Sequence, residues 1–168
     1  YHNFGQWNDI LSISKEFGVM ADVVINHGSS KSKWFENFIK GEGKGHNYFL
    51  NFEQKFDTSK VVRPRTSDLL NPIDTANGIR YVWCTFSEDQ VDYNFSNPIV
   101  LYEFIQIIIF YLSKGITIFR FDAVAFIWKK IGTTCINLDK THEIVRLFRT
   151  ILTYLAPKAI LITETNTP

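Results

Sequence analysis

The chain has 168 residues, of which 45% are hydrophobic and 21% charged, and this composition predicts one globular unit with enough apolar material for a core. Its 18 basic and 17 acidic residues give a net charge of +1, which leaves no basic surplus for binding nucleic acid. The two cysteines, Cys84 and Cys135, lack metal-ligand spacing and indicate a reducing compartment, so we expect a cytoplasmic protein without disulfides or zinc.

The first predicted unit is a helix followed by a strand. Residues at the spacing of one helix face precede Gly18, which we expect to end the helix: Trp7, Ile10, Leu11, Ser14 and Phe17. Val19 to Ile25 then has the pattern of a buried parallel strand. Asp22 interrupts that strand, and a buried charge is costly unless it has a partner. We expect Asp22 to pair with a base or donor, either as scaffold or in contact with substrate.

The periodicity is lost from Ser29 to Asn97, a stretch rich in glycine, asparagine, serine, lysine and aromatic residues. A loop of this length in a compact domain usually forms a small subdomain with its own function. Within it, Arg80 to Phe86 alternates like a strand. By count alone, the lysines and arginines of this stretch favour a solvated face over an anion site.

Two further helix and strand units complete the chain. Asn97 and Pro98 are typical of a helix start, and the helix should bury Leu101, Phe104, Ile105, Ile108 and Leu112 before Gly115 ends it. No signal peptide is apparent, and the run Ile99 to Leu112 is too short to cross a membrane. Thr141 is predicted to cap a second helix, which Pro157 ends and whose stripe is Ile144, Val145, Phe148, Ile151, Leu152 and Leu155.

Each of these helices is followed by a short apolar strand that ends on a carboxylate. The first strand ends on Asp122 and the second on Glu164. Neighbouring parallel strands lie about 4.8 Å apart, and a retaining glycosidase needs its two carboxyl groups roughly 5 to 5.5 Å apart. Arg120, on the same side of its strand, should keep Asp122 ionised, whereas apolar surroundings should raise the pKa of Glu164. This predicts that Asp122 attacks and Glu164 protonates the leaving oxygen. Spacing alone equally allows two ordinary polar residues at strand ends.

Regular alternation of helices and parallel strands, with polar residues at strand ends, predicts an α/β fold of the (β/α)8 barrel type. A Rossmann sheet is disfavoured because no Gly-x-Gly-x-x-Gly follows a strand. Three strands cannot close a barrel. Because the chain begins at Tyr1 without a methionine and stops at Pro168 directly after a motif, we expect an internal piece of a longer protein. We assign residues 1–28 and 98–168 to a partial barrel and residues 29–97 to an inserted subdomain.

Three segments, in this order, resemble the first three signature regions of the α-amylase superfamily, glycoside hydrolase family 13: Asp22-Val-Val-Ile-Asn-His27, Phe119-Arg-Phe-Asp-Ala-Val124 and Thr163-Glu-Thr165. Finer features are similar to the sucrose phosphorylase branch, which includes glucosylglycerate phosphorylases. They are Val62-Arg-Pro-Arg65, Tyr81-Val-Trp-Cys-Thr-Phe-Ser-Glu-Asp-Gln-Val-Asp92, Trp128-Lys-Lys-Ile-Gly-Thr-Thr-Cys135 and Thr163-Glu-Thr-Asn-Thr-Pro168.

The resemblance implies that Asp122 forms a covalent β-glucosyl enzyme and that Glu164 is the acid/base. It also implies a substrate site: Arg120 and His27 hold the glucosyl ring, Phe86 stacks on it, Gln90 contacts it and Arg65 binds phosphate. The implied reaction transfers glucose from a small sugar substrate, such as sucrose or a glucosylglycerate-like glucoside, to inorganic phosphate. No metal and no other cofactor is expected.

Two departures from the family pattern stand out. Phe126 replaces a tyrosine expected four residues after the nucleophile, which weakens the case for phosphate, and the fourth region with the third catalytic carboxylate is missing from these 168 residues. Three hypotheses therefore remain: a phosphorylase, a hydrolase or transglucosidase of the same family, and an inactive sugar-binding fragment. As a separate molecule, the chain is expected to be inactive and poorly stable, because half a barrel leaves sheet edges unpaired.

Overall fold

The computed structural model describes residues 5–164 and shows helices alternating with strands. The elements, in chain order, are α1 Trp7–Ile13, β1 Val19–Val24, β2 His27–Ser29, α2 Lys33–Lys40, β3 Asn51–Phe52, β4 Leu70–Thr75, β5 Gly78–Trp83, β6 Gln90–Asp92, α3 Pro98–Ser113, β7 Ile116–Asp122, a 3-10 helix Val124–Phe126, α4 Asp139–Leu155 and β8 Ile160–Thr163. The last four residues of the quoted motif 163–168 lie outside the described residues.

The candidate catalytic strands form one parallel sheet in the order β1-β7-β8. In its register, Asp22 lies opposite Arg120, and Arg120 lies opposite Ile162. Helix α3 directly precedes β7, and α4 directly precedes β8. Each helix returns the chain to the same end of the sheet, so that the three strands run parallel. As predicted, the strand ends that carry Asp122 and Glu164 meet at one edge of the sheet.

The two faces of this sheet differ in burial. Phe119 and Phe121 on one face are fully buried, and the Phe121 ring packs edge-on against Phe148 of α4 at 5.1 Å between centroids. The other face is open: Met20 is 54% and Ile160 51% exposed. The prediction that residues 19–25 form a buried strand is therefore wrong for one face, because only the helix-covered side has a partner.

Two antiparallel sheets lie in or beside the predicted excursion: β2 pairs with β6, and β3, β5 and β4 pair in that order. The predicted strand 80–86 is observed as Gly78–Trp83; it stops early because the Thr85 backbone N–H donates to Asp92 Oδ1. Buried side chains of both parts form one continuous core that includes Val82, Phe104 and Phe121. The division into 1–28 with 98–168 and 29–97 stays a prediction.

Two helix predictions need correction. The first helix, α1, ends at Ile13, well before Gly18, because the backbone N–H groups of Lys15 and Glu16 bond three residues back, to Ser12 and Ile13. Trp7 on its apolar face is 44% exposed. Thr141 does not cap α4, the helix predicted for it, because α4 already begins at Asp139. It is instead buried within the first turn, where its hydroxyl oxygen accepts the backbone N–H of Trp128 at 3.3 Å. The Asn97 cap, by contrast, is confirmed, since its side chain accepts the Ile99 N–H at 3.0 Å.

The outer edges of β1 and β8 pair with no further strand within residues 5–164. None of the helices in that range combines the length and the apolar character needed to cross a bilayer.

Because the open face of the sheet carries large apolar side chains beside these unpaired edges, we expect residues 1–168 produced alone to self-associate and to bind a hydrophobic dye. Sedimentation velocity and dye fluorescence measure both properties. A monomer with a cooperative melt and measurable glucoside hydrolysis would contradict this expectation and the predicted inactivity of the isolated chain.

Candidate active site

Four charged side chains lie at the C-terminal end of the open sheet face. Arg120, in the middle strand, joins the other three. Its Nη1 donates to Asp22 Oδ1 at 3.0 Å and lies 3.6 Å from Asp122 Oδ1, while its Nη2 donates to Glu164 Oε2 at 2.6 Å. The alternation of side chains along parallel strands puts all four on one face. One guanidinium thus holds three carboxylates from three strands.

The structure brings Asp122 and Glu164 together, as the strand order requires. The Glu164 backbone N–H donates to Phe121 O at 2.9 Å, which continues the pairing of β7 and β8 past the last strand residue. The pKa of Glu164 is raised, first because its protonated form can hydrogen-bond to Asp122, then because of burial and the negative charge of Asp122; Arg120 opposes this rise. Glu164 is thereby biased towards carrying a proton.

The sequence predicts the direction of this pKa shift and one of its causes, burial, but not the first cause, which is the hydrogen bond to Asp122. It also gives no sign that a cation lies beside Glu164. In the structure Arg120 lies closer to Glu164 than to Asp122. Asp22 has the cationic partner expected of it, yet its side chain is 56% exposed and not buried.

A second cluster contains the residues predicted to hold the glucosyl ring. His27 is buried, its ring centroid lies 5.1 Å from that of Phe86, and its Nε2 lies 2.9 Å from Nε2 of Gln90. Phe86 in turn meets Phe126 edge-on at 5.5 Å between centroids. Because Phe126 belongs to the 3-10 helix that directly follows β7, this contact connects the aromatic cluster to the strand of Asp122.

Beneath this cluster lies a buried polar network that the sequence analysis did not identify. The Nζ of Lys129 lies 2.6 Å from Asp92 Oδ2 and donates to Asn26 Oδ1 at 2.6 Å, with side-chain exposures of 5% for Lys129 and 0% for Asp92. Asp92 also accepts the Thr85 hydroxyl at 2.6 Å. Asn26 directly precedes His27, and Asp92 follows Gln90 by two positions, but no periodicity in the sequence indicates that Lys129 is buried.

Arg65, predicted to bind phosphate, is exposed, and no hydrogen bond or ion pair within residues 5–164 includes it. Its neighbour Arg63 is more enclosed: its Nη2 donates to Ser67 Oγ at 3.0 Å, and Ser67 donates to the Phe86 carbonyl at 3.1 Å. Burial lowers the pKa of Arg63. The phosphate role of Arg65 stays a prediction.

The two clusters can be compared with the possible metal sites and with the cavity beside α1. In the part of the chain that the structure describes, no group of three histidine, cysteine or acidic side chains is placed to hold a metal ion. A cavity of about 670 Å³ lies beside α1, lined by residues such as Trp7 and Ile13, and contains none of the candidate site residues. The four charged side chains instead line an open surface.

The family described as "Alpha amylase, catalytic domain" matches residues 1–168. The chain belongs to the α-amylase family. This confirms the resemblance to glycoside hydrolase family 13. The chain is 46% identical over 165 residues to a glucosylglycerate phosphorylase of Spirochaeta thermophila, covering 98% of this chain and 28% of that protein. It is 41% identical over 165 residues to a glucosylglycerate phosphorylase of Escherichia coli K12, covering 98% and 30%.

Among solved structures, the chain resembles a sucrose 6F-phosphate phosphorylase from Thermoanaerobacter thermosaccharolyticum, with a TM-score of 0.87 and 23% identity over 99% of this chain and 37% of that one. At that identity the likeness shows the fold, and it confirms the predicted partial (β/α)8 barrel. This α-amylase family segment spans less than a third of the curated relatives it matches. Its similarity to sugar phosphorylases of the family also confirms the predicted branch.

Proposed function

We propose that the protein containing this segment is a retaining α-glucoside phosphorylase. Asp122 attacks the anomeric carbon while Glu164 gives its proton to the leaving oxygen, which produces a covalent β-glucosyl enzyme and a free acceptor. Phosphate then attacks the same carbon, Glu164 takes the phosphate proton, and the bond to Asp122 breaks. Two inversions give α-glucose 1-phosphate with net retention. The observation that carries this proposal is the placement of Asp122 beside a Glu164 whose pKa it raises.

The remaining side chains fit the same reaction. Arg120 lies 3.6 Å from Asp122 and can donate to a sugar hydroxyl once substrate displaces one of its carboxylate partners. His27 and Gln90 offer polar contacts to the glucosyl ring, and the face of Phe86 offers a stacking surface. Asp22 holds the other side of the Arg120 guanidinium at 3.0 Å. Asp22 is therefore better placed to orient Arg120 than to act alone.

The substrate class follows from the relatives. The two glucosylglycerate phosphorylases are more than 40% identical to this chain, so an α-glucoside with a glycerate-like acceptor is the favoured substrate and sucrose is second. Inorganic phosphate is the co-substrate, and Arg65 is its proposed partner because a guanidinium fork matches phosphate oxygens. The reaction needs no redox cofactor, and a cytoplasmic location suits an enzyme that consumes phosphate.

A second function has its own support. Phe126 packs against Phe86 where the sugar phosphorylases are expected to have a tyrosine, so one hydroxyl that could meet phosphate is missing. A hydrolase or transglucosidase would use the same carboxylate pair with water or another sugar as the acceptor. An inactive truncated product that binds sugar is the remaining alternative.

One assay separates these functions. The longest natural polypeptide that includes residues 1–168 is incubated with glucosylglycerate, sucrose and other α-glucosides, with and without phosphate, and glucose 1-phosphate and free glucose are quantified. Phosphate-dependent formation of glucose 1-phosphate supports the phosphorylase. Free glucose at the same rate without phosphate identifies a hydrolase, and no product from any glucoside rejects both enzymes.

The same protein should show a characteristic loss of activity at high pH. Only protonated Glu164 can give a proton to the leaving oxygen, so the rate is expected to fall as pH rises through its pKa. Because Asp122 raises that pKa, the loss should be centred above the value of about 4.3 of an ordinary glutamate. The pH profile of kcat/KM measures this, and a loss centred near the ordinary value would contradict the assigned role.

A further inference from the structure

Lys129 is an enclosed cation that the proposed chemistry does not use. It lies in the loop after the 3-10 helix, on the chain segment that follows Asp122, and it reaches into the junction between β2 and β6. Taking a charged group out of water is costly unless the charge is paired and its hydrogens are bonded. Asp92 supplies the opposite charge and Asn26 a second acceptor, so the site is built around this ammonium.

Asn26 lies between Lys129 and His27, and its amide contacts both side chains. Because the Lys129 ammonium takes the Asn26 carbonyl oxygen, the amide NH₂ of Asn26 must point the other way. It donates to Asp92 Oδ2 at 2.9 Å and lies 3.4 Å from Nδ1 of His27. An amide NH₂ has no acceptor lone pair to offer. The His27 Nδ1 that faces it is therefore the acceptor nitrogen of the ring.

If Nδ1 accepts, a neutral His27 carries its proton on Nε2 and needs an acceptor there. The nearest group is the side-chain amide of Gln90, whose Nε2 lies 2.9 Å away. The two ends of an amide have almost the same size, so Gln90 can turn by 180° without displacing a neighbour. Its carbonyl oxygen then accepts the His27 proton.

Ser87 supports this orientation of Gln90. Its hydroxyl lies 2.6 Å from the far end of the Gln90 amide and 2.6 Å from Asp89 Oδ1. A hydroxyl has a single hydrogen, which the carboxylate of Asp89 takes. Ser87 must then accept from Gln90, so the Gln90 NH₂ faces Ser87 and the carbonyl faces His27. With that arrangement each contact named between Lys129 and Asp89 joins a donor to an acceptor.

We propose that Lys129 is a positioning residue that, through Asn26, fixes the proton of His27 on Nε2. This makes Nε2 a hydrogen-bond donor, to Gln90 in the structure and to a sugar hydroxyl when substrate takes the place of that contact. This inference rests on the proposed function for the statement that His27 serves sugar binding. The protonation of the ring, in contrast, follows from the network alone and can be measured without any substrate.

The charges around His27 act in opposite directions. Burial is the main factor that lowers its pKa, Lys129 lowers it further, and Asp92 and Asp89 raise it. Replacing Lys129 by a neutral residue leaves the Asp92 carboxylate without its cation. His27 should then gain a proton at higher pH than in the unaltered protein, and the preference for the Nε2–H form should be lost.

The test uses the longest natural protein, labelled with ¹⁵N-histidine. The His27 resonances are assigned by their absence in His27→Gln, and the ¹⁵N shifts and couplings report which nitrogen is protonated. We expect the Nε2–H form in the unaltered protein. We expect Lys129→Met to abolish that preference and to shift the His27 titration upward, and the exposed neighbour Lys130→Met to do neither.

Two results would overturn the proposal: an Nδ1–H form in the unaltered protein, which needs no variant to fold, or an unchanged tautomer and titration in a folded Lys129→Met. Kinetics provide a separate readout. A weakened contact from His27 should raise KM for the glucoside about fivefold, with a smaller change in kcat. If the protein releases no glucose 1-phosphate at all, the proposed function fails, while the ¹⁵N result still decides the role of Lys129.

Discussion

Replacing Asp122 by asparagine is expected to abolish glucosyl transfer, with kcat reduced about 10⁴-fold or more, as for other lost nucleophiles. An amide has almost the shape of a carboxylate, so the contacts of Asp122 with its surroundings are largely preserved. It cannot, however, form the glucosyl ester on which both steps depend. Initial rates of glucose 1-phosphate release by the longest natural protein measure the loss.

A matched control comes from the excursion. Asp74 is an exposed residue of β4, outside both clusters of the site, so Asp74→Asn changes the same charge and should retain activity. Mass spectrometry adds a direct readout, because the unaltered protein should gain the mass of one glucosyl unit from a reactive glucosyl donor and Asp122→Asn should not. Full activity in a folded Asp122→Asn protein would remove the nucleophile assignment and, with it, the retaining mechanism.

Much of the sheet that carries Asp122 and Glu164 can be predicted from the sequence, because its helices and strands depend on local patterns. An asparagine followed by a proline fixes the start of α3, and an apolar run ending on Asp122 gives β7. Two strands joined by a single helix then place Asp122 and Glu164 at one edge. The sequence also predicts Arg120 beside Asp122, which the structure shows at 3.6 Å, but the shorter contact of Arg120 with Glu164 is visible only in three dimensions.

Long-range contacts explain what sequence reasoning missed. Lys129 belongs to a loop with no periodicity, and its burial comes from Asp92, which is 37 positions earlier in the chain and reaches it through the excursion. Thr141 has the residue type of a helix cap, but the loop at Trp128 takes its hydroxyl. The exposure of apolar side chains on β1 and β8 has another cause. Their pattern predicts a barrel interior, and the partners that would cover them are not within residues 5–164.

The second large effect concerns Glu164, and it should depend on the substrate. With a glucoside whose leaving oxygen needs a proton, Glu164→Gln is expected to lower kcat/KM by about 10² to 10⁴-fold, the usual contribution of a general acid. With α-glucosyl fluoride or a nitrophenyl α-glucoside, which leave with little or no protonation, the first step should be nearly normal. The glucosyl enzyme should then accumulate, since no base remains to activate phosphate.

The structure makes Glu164→Gln a clean substitution and supplies its control. In the unaltered protein, Nη2 of Arg120 donates to Glu164 Oε2 at 2.6 Å. The amide oxygen of glutamine can accept the same N–H, so the position of Arg120 should be preserved. Glu143→Gln, at an exposed ion pair on α4, removes the same charge away from the site and should leave both substrates unaffected. Because a structural defect would slow the two substrates equally, an equal loss with both would show that Glu164 supports the fold and does not transfer the proton.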